Sequence, residues 1–110
     1  MKPLLERLKD KNRPLLADGA MGTLLHARGI PMDDCFERCN LTRPELIGEV
    51  HRAYIKAGAD IIETNTFGAN RFKLAEFGLE DQIAEINRKG VELAQAAVKE
   101  SGRETDGRKY

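Results

Sequence analysis

The 110-residue sequence has no tryptophan, only two tyrosines and four phenylalanines, and no surplus of either charge. Eighteen basic side chains balance eighteen acidic ones, so no one-signed field is present to recruit nucleic acid or an anionic membrane. No apolar run approaches the ~20 residues of a membrane span. The opening Met1-Lys2-Pro3-Leu4-Leu5 meets Glu6 before a signal-peptide core can form. A cytoplasmic location is therefore the default expectation. Two cysteines, Cys35 and Cys39, are too few for a disulfide framework and read as reduced thiols. There is no Gly-x-Gly-x-x-Gly or Walker pattern, no internal repeat and no low-complexity tract.

What is present is a strand and helix alternation. Leu4, Leu5 and Leu8 share one face of a short N-terminal helix, a plug or lid on something larger. Pro14-Leu15-Leu16-Ala17 reads as a first strand buried on both faces, with Asp18 at its C-terminal tip. Gly19 to Thr23 leads into a brief helix at Leu24–Arg28 that Gly29 stops, and Met32 to Asn40 has no period. Thr42-Arg43-Pro44-Glu45 has the form of a capping box. It opens a helix whose inner face is Leu46, Ile47, Val50, Ala53, Tyr54 and Ala57, ended by Gly58. Asp60 to Thr64 reads as a second strand. Asn70 caps a short helix to Phe77, and a longer helix runs from about Asp81 to Glu100. Its inner face is Ile83, Ile86, Gly90, Leu93, Ala94 and Ala97, with Gly90 letting it sit close to a sheet. Ser101 to Tyr110 is a polar surface loop. Connections this long between strands predict parallel pairing through right-handed crossovers.

Ligands of parallel α/β folds gather at the C-terminal tips of strands, which draws attention to Asp18-Gly19 and to Thr64-Asn65-Thr66. Each has a plainer reading: Asp18 as a turn or N-cap residue, and the other three as turn residues that satisfy backbone groups. Glu63 is an inward polar residue or a partner for Arg71 or Lys73. His26 and His51, on helical segments, read as solvated or partly buried, and Cys35 and Cys39 as packing or surface thiols, since a structural zinc site normally needs four ligands.

Two strands of buried type want neighbours on both edges. A closed (β/α)8 barrel takes roughly 250 residues. The expected fold class is thus α/β, the first two βα units of a (β/α)8 TIM-type barrel, incomplete in this chain and prone to associate through its open edges.

Asp18-Gly19-Ala20-Met21-Gly22-Thr23 and Ala57-Gly58-Ala59-Asp60-Ile61-Ile62-Glu63-Thr64-Asn65-Thr66-Phe67 together resemble the N-terminal part of the homocysteine S-methyltransferase family. The sequence is most similar to the homocysteine-binding modules of its cobalamin-dependent methionine synthases and of its bifunctional methyltransferase/methylenetetrahydrofolate reductases. The resemblance runs from about Pro14 to Glu100 and makes residues 1–110 the N-terminal fragment of a barrel domain. It implies methyl transfer to homocysteine, giving methionine, on a zinc ion held by three cysteine thiolates that lie outside this chain. It further implies cobalamin or folate as methyl source in other domains, and the remainder of the barrel, or another chain, as partner. By the same resemblance Asp18 holds the substrate's α-ammonium, Gly19 contacts its amino-acid end, and Thr64, with Asn65 and Thr66 beside it, lines the pocket. No catalytic or metal-binding residue is assigned within the chain, and the fragment is expected to be inactive alone. Two other readings are a small anion- or phosphate-binding α/β module, with Gly19 to Thr23 as its cradle, and a non-catalytic assembling fragment.

Overall fold

The computed structural model describes residues 3–102. The helices are α1 (Leu4–Lys9), α2 (Gly22–Ala27), α3 (Cys39–Thr42), α4 (Pro44–Lys56), α5 (Arg71–Ala75) and α6 (Ile83–Glu100), the last entered through a 3-10 turn at Glu80–Gln82. Of the expected polar loop, Ser101 and Gly102 form a turn, and residues 103–110 lie outside the described residues.

The long helices follow their sequence signals. α4 has Pro44 in its first turn, where a missing N–H breaks no helical bond, and ends at Gly58, whose φ of 108° suits a residue without Cβ. Asn70 caps α5 by accepting the Lys73 N–H at 2.9 Å. The capping box before α4 does not form. Thr42 is already the last residue of α3, with its hydroxyl donating to the Arg38 carbonyl at 3.3 Å, and Glu45 is drawn to Arg43 at 2.7 Å instead of reaching back to the backbone.

Two apolar clusters hold the molecule together. Leu25, Ile30 and Cys39 meet Leu46, Ile47 and Val50 of α4 in the first; Cys35, Ala69, Leu74, Leu79 and Ile86 form the second. α6 joins them, with Leu93 against the first and Ile83 against the second. Ala53 and Ala57, expected on the inner face of α4, are exposed. Leu5 and Leu8 of α1 are likewise 55% and 58% exposed, and the Arg7–Asp60 ion pair at 2.8 Å ties α1 to the body.

The expected strands shrink to a single parallel bridge, Ala17 to Ile61, and no longer strand occurs among the described residues. Their side-by-side, parallel placement is as predicted. Asp60 N–H donates to the Leu16 carbonyl at 2.6 Å and Asp18 N–H to the Ile61 carbonyl at 2.8 Å. The ladder stops there because each segment has one neighbour only, and two strands alone are marginal without a third or a covering face. For the same reason Leu16, expected to be buried, is 57% exposed.

Candidate functional site

The bridge brings the two polar tips together. Asp18 Oδ2 accepts the Glu63 N–H at 3.0 Å, which sets Asp18 and Gly19 beside Glu63 and Thr64 at the same end of the paired segments. At the other end Asp60 clasps Leu16, accepting its N–H on Oδ2 at 3.0 Å. Asp18 Oδ1 is turned inward, buried and without a hydrogen-bond partner. Glu63 is exposed and among the ion pairs of the described residues it joins neither Arg71 nor Lys73; Lys73 meets Glu76 instead.

The loop after Thr64 is fastened from behind. Asn40, fully buried, donates from Nδ2 to the Asn65 carbonyl at 2.8 Å and to the Ile86 carbonyl at 3.0 Å. Asn65 Nδ2 donates in turn to Asn40 Oδ1 at 3.0 Å and to the Phe36 carbonyl at 2.9 Å. Farther along, Glu37 accepts the Gly68 N–H at 3.2 Å and Asn87 donates to the Ala69 carbonyl at 2.9 Å. Asn65 thus faces the interior and fixes the loop. The Thr64 and Thr66 hydroxyls stand 2.7 Å apart in a hydrogen bond of their own, and Phe67 at the tip is 96% exposed. Gly90 of α6 makes the close approach possible. A Cβ there would lie 2.8 Å from Thr66 Cγ2 and 2.9 Å from Asn40 Nδ2, so the glycine serves this loop and not a sheet.

α4 supplies the floor beneath Asp18-Gly19-Ala20. Tyr54 donates its hydroxyl to the Ala20 carbonyl at 2.7 Å and lies so near Gly19 that a Cβ there would sit 3.1 Å from the phenol oxygen. One turn earlier on the same face is His51, fully buried, where a solvated or partly buried side chain was expected; neither ring nitrogen has a partner. Its place between Val50 and Tyr54 in the apolar period was the available signal. Asn40 offered none, because Met32 to Asn40 carries no periodicity.

Burial pushes the His51 pKa below the usual 6.5; Asp18 pulls it up and Arg52 pushes it down. The unfolded chain therefore holds a proton on this ring at pH values where the folded chain does not. His51's contribution to stability is complete above about pH 6.5 and is lost as pH falls through the folded value. Urea unfolding should show lower stability at about pH 5.5 than at about pH 7.5, with a slope of at most ~1.4 kcal/mol per pH unit from this group. His51→Gln should flatten that slope, and an equally steep variant would show that another group is responsible.

Cys35 and Cys39 are buried, and desolvation raises both thiols above their ordinary value. That is the reverse of what a thiolate metal ligand requires. Among the described residues no group of three or more His, Cys, Asp or Glu side chains could hold a metal ion, so these residues do not fit a zinc centre. Among the described residues no helix is long and apolar enough to cross a membrane. Gly22 is filled over by the Phe36 ring, at 3.1 Å from a would-be Cβ, which gives this second glycine a packing role and not an open cradle.

A family model described as homocysteine S-methyltransferase matches residues 15–108, a span that includes both strand tips and His51. The chain belongs to the homocysteine S-methyltransferase family. It is similar to the methionine synthase of Mycobacterium tuberculosis, 41% identical over 96 residues that cover 82% of this chain and 8% of that protein. The methionine synthase of Mycobacterium leprae is 39% identical over 103 residues, covering 88% and 8%. Among solved structures, the metallated form of the homocysteine methyltransferase MmuM from Escherichia coli superposes with a TM-score of 0.76 at 36% identity, over 91% of this chain and 35% of that one. Its oxidized form gives 0.76 at 39%, over 88% and 34%. This member of the homocysteine S-methyltransferase family thus spans about a third of the solved methyltransferase it matches and under a tenth of those methionine synthases.

Proposed function

We propose that the chain forms the amino-acid-binding rim of a homocysteine S-methyltransferase, as the first two βα units of a (β/α)8 barrel in which a methyl group passes to the homocysteine thiolate to give methionine. The observation that carries this reading is the carboxylate at the bridge's polar end. Asp18 Oδ2 uses one hydrogen bond, to Glu63 N–H, where an ionised carboxylate oxygen has capacity for a second. A substrate ammonium at that oxygen makes a charge-assisted bond. Gly19 beside it is exposed, with Tyr54 filling the side a Cβ would take and the backbone left open to the ligand's amino-acid end, and the Thr64–Thr66 hydroxyl pair offers further polar contact. Asn65 acts through the loop it pins.

Zinc, in this reading, takes its thiolates from residues outside the chain, where it would hold the substrate sulfur as a thiolate at neutral pH. The methyl donor, cobalamin- or folate-borne, belongs to other domains, and the setting is the cytoplasm. What these residues do is bind and orient. Alone they hold one side of the substrate, so affinity is weak and transfer absent.

The test is a barrel in which this chain replaces the matching third of the Escherichia coli homocysteine methyltransferase. Calorimetry should detect homocysteine binding there, and Asp18→Asn should weaken it about tenfold or more, as expected for losing a hydrogen bond to a charged group. An analogue lacking the amino group should bind the two versions alike. Equal affinity of both versions for homocysteine would remove Asp18 from the site.

A further inference from the structure

We propose that His51 is a positioning residue for Asp18: the carboxylate is two-sided, with Oδ2 at the rim for the substrate's ammonium and Oδ1, buried and unbonded in this structure, the acceptor that an N–H of the His51 ring takes up to fix its orientation. This rests on the reading of Asp18 just given. The buried side-chain polar atoms left without partners among the described residues are Asp18 Oδ1 and the two ring nitrogens of His51. Buried polar groups are nearly always satisfied, so orphans of complementary type on two neighbouring residues point to a shared function. The two segments that carry them are joined: Tyr54, one turn from His51, is bonded to the Ala20 carbonyl two residues beyond Asp18. Asp18 is also the acidic group that acts electrostatically on the buried ring.

The charged surroundings of His51 define its state. From the strand tip Asp18 acts on it electrostatically, and from its own helix so does Arg52, whose guanidinium reaches Glu100 of α6 at 3.4 Å. Burial and Arg52 favour the neutral ring, and a neutral imidazole still has one N–H to donate. Neither nitrogen is bonded to Oδ1 in this structure; once donated there, that N–H would leave the negative charge on Asp18 available at the rim. A protonated His51 would instead neutralise the carboxylate from behind and compete with the ammonium, so protonation of the ring weakens the site.

The 110-residue chain itself supports a test that uses no ligand. NMR titration of the His51 ring should give a midpoint roughly one pH unit lower in Asp18→Asn than in the unsubstituted chain, because the attracting charge is gone. The Glu63 amide reports the orientation of the carboxylate through its bond to Oδ2. His51→Leu should speed its hydrogen exchange about tenfold, while His51→Gln, which keeps an N–H donor, should leave it within about threefold. An unchanged His51 midpoint in Asp18→Asn, or a Glu63 amide indifferent to His51→Leu, would overturn the inference. Neither result touches the homocysteine titration of the chimeric barrel, so the role of His51 and the role of Asp18 fail separately.

Discussion

Asn40→Leu is expected to destabilise the fold by about 3 kcal/mol or more, since each buried polar group left without a partner costs about 1–3 kcal/mol. Leucine is close to asparagine in size, so a cavity contributes little. The loss comes from the Asn65 and Ile86 carbonyls, which would lose donors now at 2.8 and 3.0 Å, and from the Asn65 amide, which would keep only its bond to Phe36. Urea denaturation measures the effect. Asn40→Asp provides the control: it keeps the acceptor for Asn65 Nδ2, loses both donors and should also be strongly destabilising. A loss below about 1 kcal/mol for Asn40→Leu would mean that the loop is held by other contacts.

Gly90→Ala is expected to cost about 2 kcal/mol, in the range typical of overpacking a filled site. The sign is informative, because alanine in a helix interior ordinarily gains ~1 kcal/mol over glycine. Here the added methyl would enter a space bounded by Thr66 Cγ2 at 2.8 Å, Asn40 Nδ2 at 2.9 Å and the Asn65 carbonyl at 3.4 Å. Thr66 is β-branched and hydrogen-bonded to Thr64, and Asn40 is held by three bonds, so neither moves aside cheaply. Thermal unfolding of Gly90→Ala reads the result, and a stabilised variant would show that helix and loop separate more readily than the close approach implies. Combined with Asn40→Ala the cost should be less than additive, since one of the obstructing atoms is then gone.

Much of this arrangement was legible in the sequence. Apolar period and glycine stops located α4 and α6, and the order strand, helix, strand placed Asp18 and Thr64 at one end, because parallel segments bring their C-terminal tips together. What could not be read was set by long-range partners. Thr42 looked like a cap until α3 claimed it. Leu16 looked buried because its type suits a strand with neighbours on both sides, and the described residues provide one. The excursion from Met32 to Asn40 has no period because its work is polar: Glu37 and Asn40 reach backbone groups some thirty and twenty-five residues away. His51 was visible as part of an apolar stripe, yet only the fold shows that it is fully buried with both ring nitrogens unbonded.

The fastening of the 64–69 loop has a consequence for its variability. Asn40, Glu37 and Asn87 grip main-chain atoms, at Asn65, Gly68 and Ala69, and make no demand on the side chain at the exposed position between them. Phe67 can therefore be exchanged for a residue of different size or polarity without disturbing the path of the chain around it.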